Sequence, residues 1–171
     1  MASTIQELKL TSFASYLPAF ESGANYELIY EQNRHRVYAL SFWMTDNEMA
    51  AEELMAQVFH RAFAASTVPS DEMIDRALIA ELRETAPLGV LTLECSPAAE
   101  ALNVRSNVMR VHLERAVVQL PPTERLIFLM HDAESYSHER IARTLGLSAD
   151  ESRYGLHQAR LRVRELLAGM R

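Results

Sequence analysis

Apolar residues recur at helical spacing along most of this chain, and breaks in the recurrence mark the element ends. Leu28, Ile29, Val37, Leu40 and Phe42 predict a helix from Asn25 to Thr45, with Glu27, Glu31, Arg34 and Arg36 between them. Asp46 or Asn47 can cap a second helix to about Ala65, whose stripe is Ala50, Leu54, Val58 and Ala62 flanked by Phe59 and Phe63. Pro69-Ser70-Asp71-Glu72 starts a third, carrying Met73, Ile74, Ala77, Leu78 and Leu82 and stopping at Pro87-Leu88-Gly89. Residues 1–20 are weakly patterned, and Pro18 ends whatever they form.

"PLGVLTLECSP", residues 87–97, has breakers at both ends and no helical pattern, yet it is strangely apolar for an exposed linker. It either packs between two helical bodies or holds them together in an inactive arrangement. Ser96-Pro97 then opens what reads as a helix to about Gln119, with Ala101, Val104, Val108, Val111 and Leu113 among its apolar residues. Pro121-Pro122 separates it from the short apolar helix "TERLIFLMHDA". Ser137 caps the next helix, Gly146 ends it, and Ser148 starts the last. The pattern predicts an all-α chain: an N-terminal extension (1–24), a helical domain (25–87), a linker (88–96) and a second helical domain (97–171).

Composition removes several function classes. No apolar run reaches about 18 residues and no basic-then-apolar start is present, so a cytoplasmic protein without a membrane span is expected. Cys95 is the single cysteine and reads as a small buried hydrophobe. The six histidines show no metal-ligand spacing, and neither a phosphate loop nor a nucleophile elbow occurs. No enzyme, cofactor, metal or small-molecule substrate is expected.

The net charge of −6 argues against a nucleic-acid partner until it is divided along the chain. Residues 138–171 hold seven Arg against four acids, whereas residues 1–137 hold ten basic groups against nineteen acids. A basic tail behind an acidic body suggests two partners of different character.

The basic tail meets the requirements of a helix-turn-helix. Ile141 and Leu145 face inward, Ala142 is small at the crossing, and Gly146 tolerates the positive φ of the turn. Leu156, Ala159 and Val163 form the inward stripe of the second helix. At about 100° per residue, Arg153, His157, Arg160 and Arg164 make a second stripe beside it. Such a run can be a solvated face, but here it holds no acid and follows the turn where phosphates and base edges would lie. Ser148 and Glu151 form a capping box, and Asp150 adds a favourable charge at the helix start. Glu151 could also accept from cytosine N4.

Residues 113–167, with "LPPTERLIFLM", "SHERIARTLGLS" and "LHQARLRVREL", resemble the −35-reading domain of bacterial RNA polymerase sigma factors of the extracytoplasmic-function (ECF) group. Residues 29–63 resemble that group's N-terminal domain, which binds polymerase and opens the −10 element. "AAEELMAQVF" matches the stretch that grips the polymerase clamp. The resemblance implies core RNA polymerase, promoter DNA and an anti-sigma factor as partners. It implies polymerase contacts at Glu52, Glu53, Leu54, Gln57 and Phe59. DNA contacts are expected at Arg143, Glu151, Arg153, Tyr154, His157, Gln158, Arg160 and Arg164.

The chain departs from the family pattern in three places. In the clamp-gripping stretch Ala50, Ala56 and Gln57 stand where the family has Asp, Gln and Glu, while Glu52, Glu53 and Leu54 remain. Where the family has an aromatic, Arg-rich helix that melts the −10 strand, this chain has "DEMIDRALIAELRETA", with five acids, two Arg and no aromatic residue. In the reader helix an inward Val is replaced by Ser152, and Gly155 lowers helix propensity by about 1 kcal/mol relative to Ala. Two functions stay open: a sigma factor that directs initiation, or a sigma-like regulator or decoy that binds polymerase, DNA or an anti-sigma factor without initiating.

Overall fold

A computed structural model describes residues 21–104 and 107–170 of the chain. All regular elements among them are helical. Helix α1 (Glu21–Thr45) pairs with α2 (Glu48–Ala65), and α2 with α3 (Asp71–Arg83). The expected extension therefore ends inside α1, and its residues 1–20 lie outside the described part. After the linker comes a 3-10 segment (Pro97–Ala101), followed by α4 (Arg110–Val117) and α5 (Pro122–Phe128). Helix α5 continues as a π-helical turn (Leu129–Ala133), and α6 (His138–Leu145) and α7 (Ala149–Gly169) complete the chain.

The caps are those the side chains dictate. The Asn47 side chain accepts from the amide of Ala50, Ser70 from Met73, Ser137 from Arg140 and Ser148 from Glu151. Gly146 ends α6 at φ 77°, the left-handed conformation the turn requires. On α2, Leu54, Val58 and Ala62 are buried as expected, and only the first position of the stripe differs, with Ala51 buried in place of half-buried Ala50.

One expected helix is not formed. Among the described residues of 97–119 the only helical pieces are the short 3-10 segment and, from Arg110, the eight-residue α4. The spacing of Ala101, Val104, Val108 and Val111 mimics a helical stripe, but the intervening Asn103, Ser106 and Asn107 are weak helix formers and the valines are β-branched. Val104 and Val111 stay exposed, so no burial repays a helix there.

The larger of two apolar clusters spans both halves of the chain. Val37, Leu40, Leu54, Val58, Ile74, Leu78 and Leu82 of α1–α3 form one cluster with Leu126, Ile127, Met130, Ile141, Leu145 and Leu156. The linker joins it through Leu88 and Leu91, while Leu93 packs on a smaller cluster around Ala116, Leu120, Ala159 and Val163. Cys95 is half-buried rather than buried; its amide donates to Gln158 Oε1 at 2.6 Å. Partial burial pushes its thiol pKa up.

Two polar nodes join α1–α3 to the C-terminal half. Asp75 of α3 is fully buried. Its Oδ1 accepts from the Tyr136 hydroxyl at 2.7 Å and from Arg36 Nη1; its Oδ2 accepts from Arg140 Nε at 2.9 Å and Nη2 at 2.6 Å. The Arg140 guanidinium lies over the Tyr136 ring, 3.9 Å from its centroid. Burial, reinforced by the Asp75 carboxylate, holds the Tyr136 hydroxyl well above its ordinary pKa, so it remains a donor. The second node is Arg125 on α5. It donates to the carbonyls of Val118 and Leu120 just beyond α4, and to Trp43 and Met44 in the last turn of α1.

Candidate nucleic-acid interface

The second helix of the helix-turn-helix, α7, begins with the capping box. Ser148 Oγ accepts from the Glu151 amide at 3.1 Å, and Glu151 Oε2 accepts from the Ser148 amide at 2.7 Å. The Ser148 amide, and after it the Ser148 hydroxyl, hold the Glu151 carboxyl below its usual pKa. Ser148→Ala is expected to lower stability by about 1 kcal/mol in urea denaturation. An unchanged midpoint would mean that the cap adds nothing.

Leu156, Ala159 and Val163 are buried as expected. Ser152, at the position where the family carries Val, is fully buried, with its hydroxyl 3.0 Å from His138 Nδ1. Burial and the stacked His131 ring, 4.5 Å away between centroids, lower the His138 pKa and favour the neutral ring in that bond. Gly155 also has a physical reason. A Cβ there would lie 2.8 Å from Ile127 Cδ1 and 2.8 Å from Leu91 Cδ2, so the linker rests against the bare backbone of α7.

Arg153, His157, Arg160 and Arg164 lie on one exposed face, each next to an acceptor of the chain itself. Arg153 reaches Glu139 at 3.1 Å and Asp150 at 2.8 Å. Arg160 makes a two-pronged bond to Asp132 on the π turn, at 3.0 and 2.6 Å. His157 Nε2 lies 3.6 Å from a Glu100 carboxylate oxygen, and Arg164 donates to the Glu100 carbonyl. Burial raises the Asp132 carboxyl pKa, but Arg160 and His131 more than offset this and leave it below its usual value. An anion arriving at this face would therefore displace partners of the chain itself. The sequence reading missed Glu100, Asp132 and Glu139, because none shares a helix with the group it faces.

Other expected residues are scattered. Tyr154 is exposed beside the stripe, and Arg143 pairs with Glu72 of α3 at 2.9 Å. Gln158 is buried and turned toward the linker, which removes it from the exposed face. On α2, Glu52, Glu53 and Gln57 are exposed, while Leu54 and Phe59 point into the core and can only position that surface. His60 and Arg61, the latter paired with Glu81, line a shallow groove with Gln57 and went unread in the sequence.

The family model for sigma-70 region 4 matches residues 110–163, from α4 into α7. Residues 110–163 are thus similar to sigma-70 region 4. A solved structure, the sigma factor RpoE in complex with the anti-sigma factor NepR from Bartonella quintana, aligns with 85% of this chain and 98% of that chain. The TM-score is 0.61 at 16% sequence identity, so this likeness is one of fold. No curated protein matches the sequence. The region 4 match and the shared fold support the resemblance to ECF sigma factors read from the sequence. No described helix is long and apolar enough to cross a membrane.

Proposed function

We propose that this protein is an ECF-type sigma factor that binds core RNA polymerase and directs promoter-specific initiation in the cytoplasm. The continuous Arg153–His157–Arg160–Arg164 face, on the second helix of a region 4 helix-turn-helix, carries this reading. Arg143, Glu151 and Tyr154 flank it as further −35 contacts. Glu52, Glu53 and Gln57 give α2 an exposed acidic and polar face suited to a basic polymerase surface. Two domains, 25–87 and 97–171, part at the linker 88–96 to reach elements roughly 25 base pairs apart. At about 3.4 Å per base pair that is roughly 85 Å, far beyond a chain folded with its halves in contact. The protein supplies specificity and the polymerase supplies catalysis. An anti-sigma factor would be the further partner, as NepR is for the Bartonella quintana sigma factor whose fold this chain shares.

The deciding experiment combines purified protein and core polymerase on a promoter library, scoring transcripts and open complexes. Transcripts from a defined −35-like motif are expected. Arg153→Ala or Arg160→Ala should then weaken binding to that motif by about 1–3 kcal/mol. The lower end is expected for Arg160, whose Asp132 partner must also be displaced.

A second reading, a sigma-like regulator or decoy that does not initiate, draws on α3. Its acids pair with Arg36, Arg61, Arg140 and Arg143, and it offers no aromatic platform for a melted strand. Binding to core polymerase without any transcript would favour it.

A further inference from the structure

The linker does more than join the halves. Buried Glu124 accepts from the amides of Thr92 and, at 2.7 Å, Leu93. Gln158 accepts from the amide of Cys95, and Gly89, in the left-handed conformation at φ 98°, donates from its amide to Thr123 at 3.2 Å. Four backbone amides, those of Gly89, Thr92, Leu93 and Cys95, thus seat an extended peptide on the C-terminal half, with Leu91 in the gap left by Gly155. Placed on the helical wheel, Gly155 and Gln158 lie roughly 130–170° from the centre of the basic face. The linker starts behind α7 and wraps around it. The 3-10 segment then packs on α7 with Ala99 buried, and Glu100 arrives on the basic face against His157 and Arg164.

We propose that the segment Pro97–Ala101, anchored by linker residues 91–95, is an intramolecular gate over the C-terminal half of the DNA-reading face. The gate rests on the DNA-reading assignment above. The carbonyl and carboxylate of Glu100 stand where a phosphate would bind, so the segment must lift before Arg164 and His157 reach the backbone. The gate couples two events. Whatever draws the linker away, such as a partner that takes residues 88–96 as an extended peptide, also releases positive charge on α7.

The test uses the full chain and a fluorescent random-sequence duplex, because phosphate contacts do not depend on sequence. Leu91→Ser weakens the linker anchor while every residue of the helix-turn-helix is kept. Ala99→Glu places a charge in the buried contact. In both, the Thr92, Leu93 and Cys95 amides should exchange faster with solvent. Duplex affinity should rise at least about fivefold, and the log–log salt slope should steepen by about one. Faster exchange with unchanged affinity overturns the gate, and so does tighter binding while those amides stay protected. Arg153→Ala and Arg160→Ala in the Leu91→Ser background separate the two ideas. If neither weakens duplex binding, the DNA-reading assignment falls. If both do while Leu91→Ser itself changes nothing, only the gate falls.

Discussion

Replacing Asp75 with Asn should lower the free energy of unfolding by about 3 kcal/mol, the low end of the range for breaking a buried charge network. Asp75 accepts from Arg36, Tyr136 and Arg140 together, and its side chain is fully buried. Asn keeps one acceptor oxygen and turns an NH2 toward guanidinium donors. Two arginines then lose their counter-charge, and the low end applies because both keep some contact with solvent. Urea denaturation reads the stability. Small-angle scattering reads the arrangement, for which a compact chain of this length gives a radius of gyration of about 16 Å. The variant should exceed that value. Adding Arg140→Met should recover part of the loss, because it removes one orphaned charge. An unaltered midpoint and radius in Asp75→Asn would show that the node does not hold the halves together.

Arg125→Met should cost about 2 kcal/mol by the same measurement. The guanidinium serves the carbonyl ends of two helices at once, α4 and α1, where a cation is favoured. Burial lowers its pKa, with Asp46 acting in the opposite direction. Arg125→Lys should recover little, because one ammonium cannot span carbonyls that the planar fork reaches from three nitrogens. Full recovery by Lys would mean that charge alone matters at this position.

The sequence was informative wherever the physics is local. Ser70, Ser137 and Ser148 announce helix starts because a cap involves residues three apart, and Gly146 announces a turn because its φ excludes most side chains. The basic face of α7 was equally legible, since helical spacing alone brings it together. Contacts between distant segments were not. Ser152 and Gly155 read as losses of packing and propensity, yet their reasons lie in His138 and Leu91. The acids of α3 read as a missing DNA surface; the fold uses them on arginines from α1, α2 and α6. The helix expected over 97–119 failed for the opposite reason, a regular apolar spacing with no surface to bury it.

The same Asp75 node sets an order of events during synthesis. Arg36 and Tyr136 meet there although they are 100 positions apart, and Arg140 follows Asp75 by 65. At about 5–20 residues per second, a ribosome needs roughly 3–13 s to add those 65 residues. Throughout that interval the nascent α1–α3 bundle has a carboxylate destined for burial and a single arginine to meet it. The N-terminal half is therefore born incomplete, and its interior closes only when the last third of the chain emerges.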